Sequence, residues 1–281
     1  MAQAQNTSDF GHKVIFLYPD FPGHGDVFKD LRDNEYELYF LKNYRDAKSV
    51  LREFKNSICI VYADDSGAKR KMINFIVSCA KDDSVNTTLF YLLVDELSAK
   101  EKKALELAQN CYQGMIALNS KTPFVIQSIR QTLEDKNAKG RRQYVRVSCA
   151  NDRGAMMLAE LNGRIYKFKM QDISIVGSAC TVEERFASVF TKGTLIPSVT
   201  LIFDKNQISV GEVAVYAVFS SNGLAKLVLL FKNALSGENK AFVHKYIAES
   251  FESDINAIIK SHPRDEEDYS KAFAESESED K

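Results

Sequence analysis

The hydrophobic period changes partway along the chain, and no one domain type accommodates both halves. From residue 12 to about 134, short apolar runs at 14–18, 36–41, 58–63, 89–94 and 113–118 alternate with amphipathic stretches such as 47–54 and 69–80. The runs are β-branched and apolar nearly throughout, the pattern of parallel strands covered on both faces. Five such βα units predict a doubly wound α/β sheet. From Tyr144 onward the runs are β-rich and separated by Asn162-Gly163, Asp204-Lys205-Asn206 and Ser221-Asn222-Gly223. Asn-Gly between strands tolerates the positive φ of a tight hairpin turn. The six runs at 144–149, 153–161, 164–173, 199–203, 211–219 and 224–231 therefore predict a small antiparallel barrel. A closing helix is expected over 238–260, with Phe242, Val243, Tyr246, Ile247, Phe251, Ile255, Ile258 and Ile259 on one stripe that packs onto that barrel.

At 281 residues the chain has the length of two ordinary domains. The divisions predicted are an α/β domain at 12–134, a charged linker at 135–141, a β-barrel domain at 142–260 and an acidic tail at 261–281. Residues 264–281 hold eight acids against three bases, whereas the whole chain has a net charge of −1. A segment so charged and so poor in apolar residues is read as disordered, because it buries too little surface to offset its ordering entropy. The first residues, MAQAQNTSDFGH, have neither the basic start nor the apolar run of a signal peptide. The longest apolar stretches are too short to span a bilayer, so a soluble, cytoplasmic protein with no membrane insertion is expected.

Five cysteines, Cys59, Cys79, Cys111, Cys149 and Cys180, show no CxxC spacing, and their odd number closes no disulfide framework. They are expected as buried, reduced thiols. The four histidines are equally dispersed, so nothing in the spacing recommends a zinc site or a Cys-His nucleophile. The expectation is a non-enzyme with neither metal nor cofactor.

Two short clusters carry the functional reading. Arg142-Gln143-Tyr144-Val145-Arg146 gives an RxxxR spacing directly preceded by Arg141, and Asp172-Ile173-Ser174-Ile175-Val176-Gly177 gives DxSxxG. Alone, the first reads as a solvated basic edge and the second as a turn, since Asp and Ser hydrogen-bond nearby backbone. In this order, at the opening of a β-rich region, the pair resembles the signature of the PilZ domain, a β-barrel receptor for cyclic di-GMP. The match covers about residues 139–260. It implies ligand binding by Arg141, Arg142, Arg146, Asp172, Ser174 and Gly177, in a bacterial second-messenger protein whose relatives often act on motility, adhesion or polysaccharide export.

The chemistry of those residues suits the ligand the resemblance implies. Arginine's planar fork pairs bidentately with phosphate or with guanine O6 and N7, and its face stacks on the base; lysine supplies only a point charge. The RxxxR offset is even, so in an extended segment both guanidinium groups point to one side. Asp172 would accept from guanine N1–H and N2–H₂, the edge that separates guanine from adenine. Ser174 would add a hydroxyl, and Gly177 would let the backbone approach closely. Arginine at 141 carries a further implication of the resemblance, a stacked ligand dimer and hence two molecules per protomer. Ser178, where members often have a second Gly, and the absence of Gly from 224–231 are departures from the pattern.

The first half resembles, in layout, the receiver domain of two-component response regulators. That resemblance makes Asp64, in Ala63-Asp64-Asp65-Ser66 after the third run, the candidate phosphoacceptor. The first run leads to Pro19-Asp20-Phe21-Pro22, with one acid where receivers carry two; the fourth ends in Val94-Asp95 without a hydroxyl. The fifth leads to Asn119-Ser120-Lys121-Thr122-Pro123-Phe124, one residue longer than the family's Lys-Pro-Phe segment. Magnesium needs clustered carboxylates, so a degenerate receiver is expected. Asp-Asp-Ser also serves as an ordinary helix N-cap. The reading favoured is a cyclic di-GMP receptor in which ligand orders the RxxxR segment and reorients the domains to control an unidentified protein effector. A phosphorelay protein using Asp64, with the barrel as a degenerate interaction module, is the alternative. Nucleic-acid binding through Lys139, Arg141, Arg142, Arg146 and Tyr144 is disfavoured, because the rest of the chain lacks a broad basic face.

Overall fold

Two units divide the chain between them: one runs to Gln143 and resumes at Phe251, the other is Tyr144–Ser250. The computed structural model describes residues 11–119, 121–150, 152–204, 206–221 and 223–269. The N-terminal dozen read above lies almost wholly outside them, as do Ser120, Lys205, Asn222 and the last twelve residues of the acidic tail.

The first unit alternates β1 (Val14–Leu17), α1 (His24–Asp33), β2 (Leu38–Leu41), α2 (Tyr44–Glu53), β3 (Ile58–Tyr62), α3 (Ser66–Ala80), β4 (Leu89–Val94), α4 (Ala99–Leu105), β5 (Tyr112–Ala117) and α5 (Thr122–Asp135). All pairings are parallel, in the order β2-β1-β3-β4-β5. This is the doubly wound receiver-like topology, with its switch point between β1 and β3. All of β1 and nearly all of β3 are buried, which is why those runs carry no polar alternation. One face of the sheet is packed with rings: Phe16 meets Phe28 edge-on at 4.9 Å, and Phe28 meets Phe40 at 4.6 Å. Helix starts follow the local chemistry. Asn43 accepts from the Arg45 amide, Asp65 from the Ala68 amide at 2.7 Å, and Ser98 with Glu101 forms a capping box. Asp65 is thus the N-cap that the Asp-Asp-Ser cluster predicted.

Residues 135–141, the predicted linker, carry specific backbone hydrogen bonds. After α5 ends, the Asn137 amide donates to Glu134 O and the Ala138 amide to Leu133 O, both at 2.9 Å, while the His12 amide donates to Ala138 O at 2.7 Å. Asn137 at φ 51° and Gly140 at φ 59° supply the left-handed turns that this closure requires. Backbone satisfaction, invisible to a reading of charge and periodicity, holds the stretch in the first unit.

The second unit contains β6 (Val147–Ser148), β7 (Ala155–Leu161), β8 (Arg164–Ser174), β9 (Gly177–Glu183), β10 (Leu195–Phe203), β11 (Asn206–Ser221) and β12 (Leu224–Phe231). The antiparallel order is β6-β8-β7-β10-β11-β12-β9, and a further β8–β9 pairing closes six strands into a barrel. Strand number and type match expectation, but the membership differs. The run 144–149 yields only two residues of strand, outside the closure, and the sixth barrel strand is β9, GSACTVE. Its small residues hide it from a β-propensity reading. They are small because Gly177 lies against β12, where a Cβ would collide with the Leu229 carbonyl oxygen.

Helix α6 (Gly237–Ser261) follows the barrel. Its stripe does not serve the barrel alone, as expected from sequence. Phe242 and Tyr246 pack on Phe203, and the Tyr246 hydroxyl donates to Asp152 at 2.8 Å, whereas Phe251 is counted with the first unit and lies 4.7 Å from the Tyr39 ring. Beyond α6 the acidic segment is ordered as far as it is described: Tyr269 is only 1% exposed, packed in the first unit. The rest of the tail predicted to be disordered lies outside the described residues. Among the described residues no helix is long and apolar enough to cross a membrane.

All five cysteines are buried free thiols. Burial pushes Cys111 up to about 11 and Cys149 to about 12, so the reactive thiolate is scarce at neutral pH. The native protein is therefore expected to react negligibly with a thiol reagent at pH 8 and to release all five thiols on denaturation. A rapidly labelled equivalent in the native state would contradict this packing.

Candidate functional site on the barrel wall

The two sequence clusters meet through strand β8. Strand β6 pairs with it so that Val147 opposes Ile173 and Ser148 opposes Asp172, while on the other side Asp172 opposes Ala179 of β9. Arg146, one residue before β6, is brought alongside Asp172: Nη1 lies 3.6 Å from the carboxylate Oδ1. The side chains keep 38% and 19% of their exposure, so this is a half-open ion pair rather than a sealed one.

A register irregularity makes the placement of Asp172 possible. Phe168 and Met170 are fully buried, and strict alternation would carry Asp172 into the barrel interior with them. The β8–β9 register shifts between Met170 and Asp172, with Gln171 as the extra residue, so Ile173 becomes the buried position and Asp172 reaches the wall. A carboxylate inside an apolar barrel would be severely penalised. The Ala179 amide donates to Asp172 Oδ1 at 2.9 Å, and the Ser178 hydroxyl donates to the Asp172 carbonyl at 2.6 Å. The acid is therefore held at both its side chain and its backbone.

Two sequence assignments change character. Ser174 is 1% exposed and donates to the Gly177 carbonyl at 3.1 Å, so its hydroxyl closes the β8–β9 turn instead of facing outward. Gly177 makes a close approach to the Leu229 carbonyl of β12. The neighbouring Ser178, read from sequence only as a departure from glycine, proves to be a positioning residue for Asp172.

Arg141 and Arg142 are exposed and fall in the first unit, where the Arg142 amide donates to Lys139 O at 3.3 Å. Segment 141–146 is irregular, with a turn at Arg141 and bends at Gln143 and Tyr144, and is not the continuous strand from which an even offset would place both arginines on one side. What the structure brings together is Arg146 with Asp172, supported by Ser178 and Ala179.

Asp64 is exposed at the end of β3, beside a cavity of about 390 Å³ at the β1–β3 switch point. Asp20, Lys42 and Lys71 share its lining, and Asp20 and Asp64 are its acids. Among the described residues no group of three or more His, Cys, Asp and Glu is placed to hold a metal ion. Lys121 is the exposed residue preceding α5.

No protein-family model matches the chain, and no curated protein matches it. Solved structures do. MrkH of K. pneumonia, described as a c-di-GMP-dependent transcription regulatory factor, is 16% identical over 40% of this chain and 52% of its own, with a TM-score of 0.34. The PilZ domain of Escherichia coli YcgR with c-di-GMP is 15% identical over 42% of this chain and 95% of the domain, with a TM-score of 0.35. The chemotaxis response regulator CheY4 of Vibrio cholerae is 15% identical over 44% of this chain and 99% of its own, with a TM-score of 0.34. The chain matches only about half the length of MrkH.

Proposed function

We propose that the barrel unit is a receptor for cyclic di-GMP, bound on the wall at Asp172 and clamped by Arg142 and Arg146. The observation that carries this reading is the half-open Arg146–Asp172 pair, set by the Gln171 bulge. Guanine presents acceptors at O6 and N7 and donors at N1 and N2, so an arginine and a carboxylate side by side offer complementary groups to both kinds of edge. A cyclic dinucleotide adds phosphates, which a second arginine fork takes bidentately. Arg141 extends the cationic run, and a stacked pair of ligands, two per protomer, is the stoichiometry proposed. The site is asked to bind, with no bond made or broken.

Segment 141–146 is also the chain's passage from the first unit to the second. Ligand that clamps it restricts that passage, and it shifts the balance between arrangements only by its differential affinity for them. Control of a protein partner through that restriction is the signalling role proposed.

The test is calorimetric titration of the full chain with cyclic di-GMP, with GTP and cyclic di-AMP as controls. Saturable binding of the cyclic di-guanylate alone, near two equivalents, is the expected result. No binding, or equal binding of the adenine analogue, overturns the proposal.

A further inference from the structure

The acidic segment after α6 is held in a manner that its own sequence does not explain. Residues 263–268 form neither helix nor strand, yet the segment is gripped along its length by α2 and α3. Its backbone is held at three points. The Ser49 hydroxyl donates to the Pro263 carbonyl at 3.3 Å, the Asp265 amide donates to the Arg45 carbonyl at 2.9 Å, and the Asn74 amide group donates to the Tyr269 carbonyl at 2.5 Å. Its side chains are matched in sign: Arg264 pairs with Asp46 at 2.9 Å, and Asp265 and Glu267 approach Lys48 at 3.5 and 3.4 Å. Tyr269 fills the end of the groove, edge-on to Tyr44 and Phe75 with both centroids at 5.5 Å, and its hydroxyl donates to Asp265 at 2.5 Å.

The groove side is as informative as the segment. Lys48 is 8% exposed, a burial that lysine almost never adopts without a partner, and both carboxylates paired with it come from the segment. An extended peptide gripped through its backbone, with a charge code and one aromatic anchor, is how peptide-docking sites achieve affinity and specificity together. The segment has no regular structure of its own, so its order derives from these contacts. Ordering entropy over seven residues opposes one buried tyrosine, three backbone hydrogen bonds and partly exposed ion pairs, a thinner set of contacts than holds the unit's core.

We propose that the α2–α3 face of the first unit is a docking groove for a protein partner carrying an acidic, tyrosine-anchored segment of the pattern Arg-Asp-x-Glu-x-Tyr, and that residues 263–269 are its built-in competitor. The partner gains access when the strap lifts, so the chain guards its own interaction surface. This reading stands on the first unit alone and does not depend on ligand binding at the barrel.

The probe is a fluorescent, amide-capped synthetic peptide of residues 261–270, titrated by anisotropy against the full chain and its variants. Tyr269→Ala vacates the groove and is expected to bind the probe at least 10-fold more tightly than wild type does. In that background Lys48→Glu is expected to cost at least 10-fold, as is replacing the probe's tyrosine by alanine. Asp265→Lys with Glu267→Lys offers a second way to lift the strap without opening an apolar hole, and it should raise probe binding in the same direction. Equal binding to wild type and to both strap variants overturns the proposal, as does binding to none of them. A wild-type dimer that Tyr269→Ala converts to monomer also overturns it, by showing that the strap belongs to a second copy.

Discussion

Arg146→Ala is expected to weaken cyclic di-GMP binding by about 10- to 100-fold while leaving the barrel folded. A bidentate arginine contact to guanine is worth ~1–3 kcal/mol. Each 1.4 kcal/mol is about a factor of 10, so losing that contact costs about 10- to 100-fold. The fold loses little in comparison. Arg146 pairs with Asp172 at 3.6 Å across a half-exposed surface, where an ion pair is worth ~0–1 kcal/mol. A shift of that size moves the melting temperature by at most about 8 °C, at about 4–8 °C per kcal/mol for a small domain. Arg146→Lys keeps the charge and loses the fork, so it should recover only part of the affinity. Asp172→Asn presents an amide N–H₂ toward guanine donors and is expected to erode the preference over cyclic di-AMP. The measurement is calorimetry paired with a thermal melt. Wild-type affinity in Arg146→Ala sinks the assignment, and so does an affinity loss matched by loss of the fold.

The two motifs were readable because they sit in unbroken sequence on residues with strong chemistry, and the period change that flanks them gave both fold classes. Less was readable where structure depends on contacts between distant backbones. Strand β9 was missed because GSACTVE is built to fit between β8 and β12, and the residue types that allow the fit carry no strand preference. That Ser174 closes the β8–β9 turn and Gly177 lies against β12 depends on the Gly177 and Leu229 carbonyls, backbone neighbours that the Asp-x-Ser-x-x-Gly spacing does not reveal. The Gln171 bulge, which decides whether Asp172 faces the wall or the core, has no sequence signature at all. Residues 263–269 differ in the opposite direction. Composition over 264–281 predicted disorder, and one buried tyrosine with three backbone hydrogen bonds reverses that locally. In each case what the sequence did not reveal is which distant neighbours a residue meets.

The largest effect on stability is expected from the smallest substitution, Gly177→Ala. A Cβ at this position meets the Leu229 carbonyl oxygen, a backbone atom fixed in the β11–β12 and β12–β9 ladders, so the collision cannot be relieved by a rotamer change. Overpacking of this kind costs about 1–3 kcal/mol, and a rigid backbone neighbour puts Gly177→Ala at the upper end, about 3 kcal/mol. For a domain of this size that lowers the melting temperature by about 10 °C or more. The consequence extends to the ligand site, because parting β9 from β12 displaces Ser178 and Ala179, the residues that hold Asp172 by its carbonyl and carboxylate. Gly177→Ala should therefore lose affinity together with stability, whereas Arg146→Ala loses affinity alone. Gly25 supplies the control. It lies within α1, a Cβ there meets nothing within 4 Å, and Gly25→Ala should be neutral or stabilising by up to about 1 kcal/mol. If Gly177→Ala melts within about 2 °C of wild type, the seam between β9 and β12 yields easily, and the glycine is not what closes the barrel.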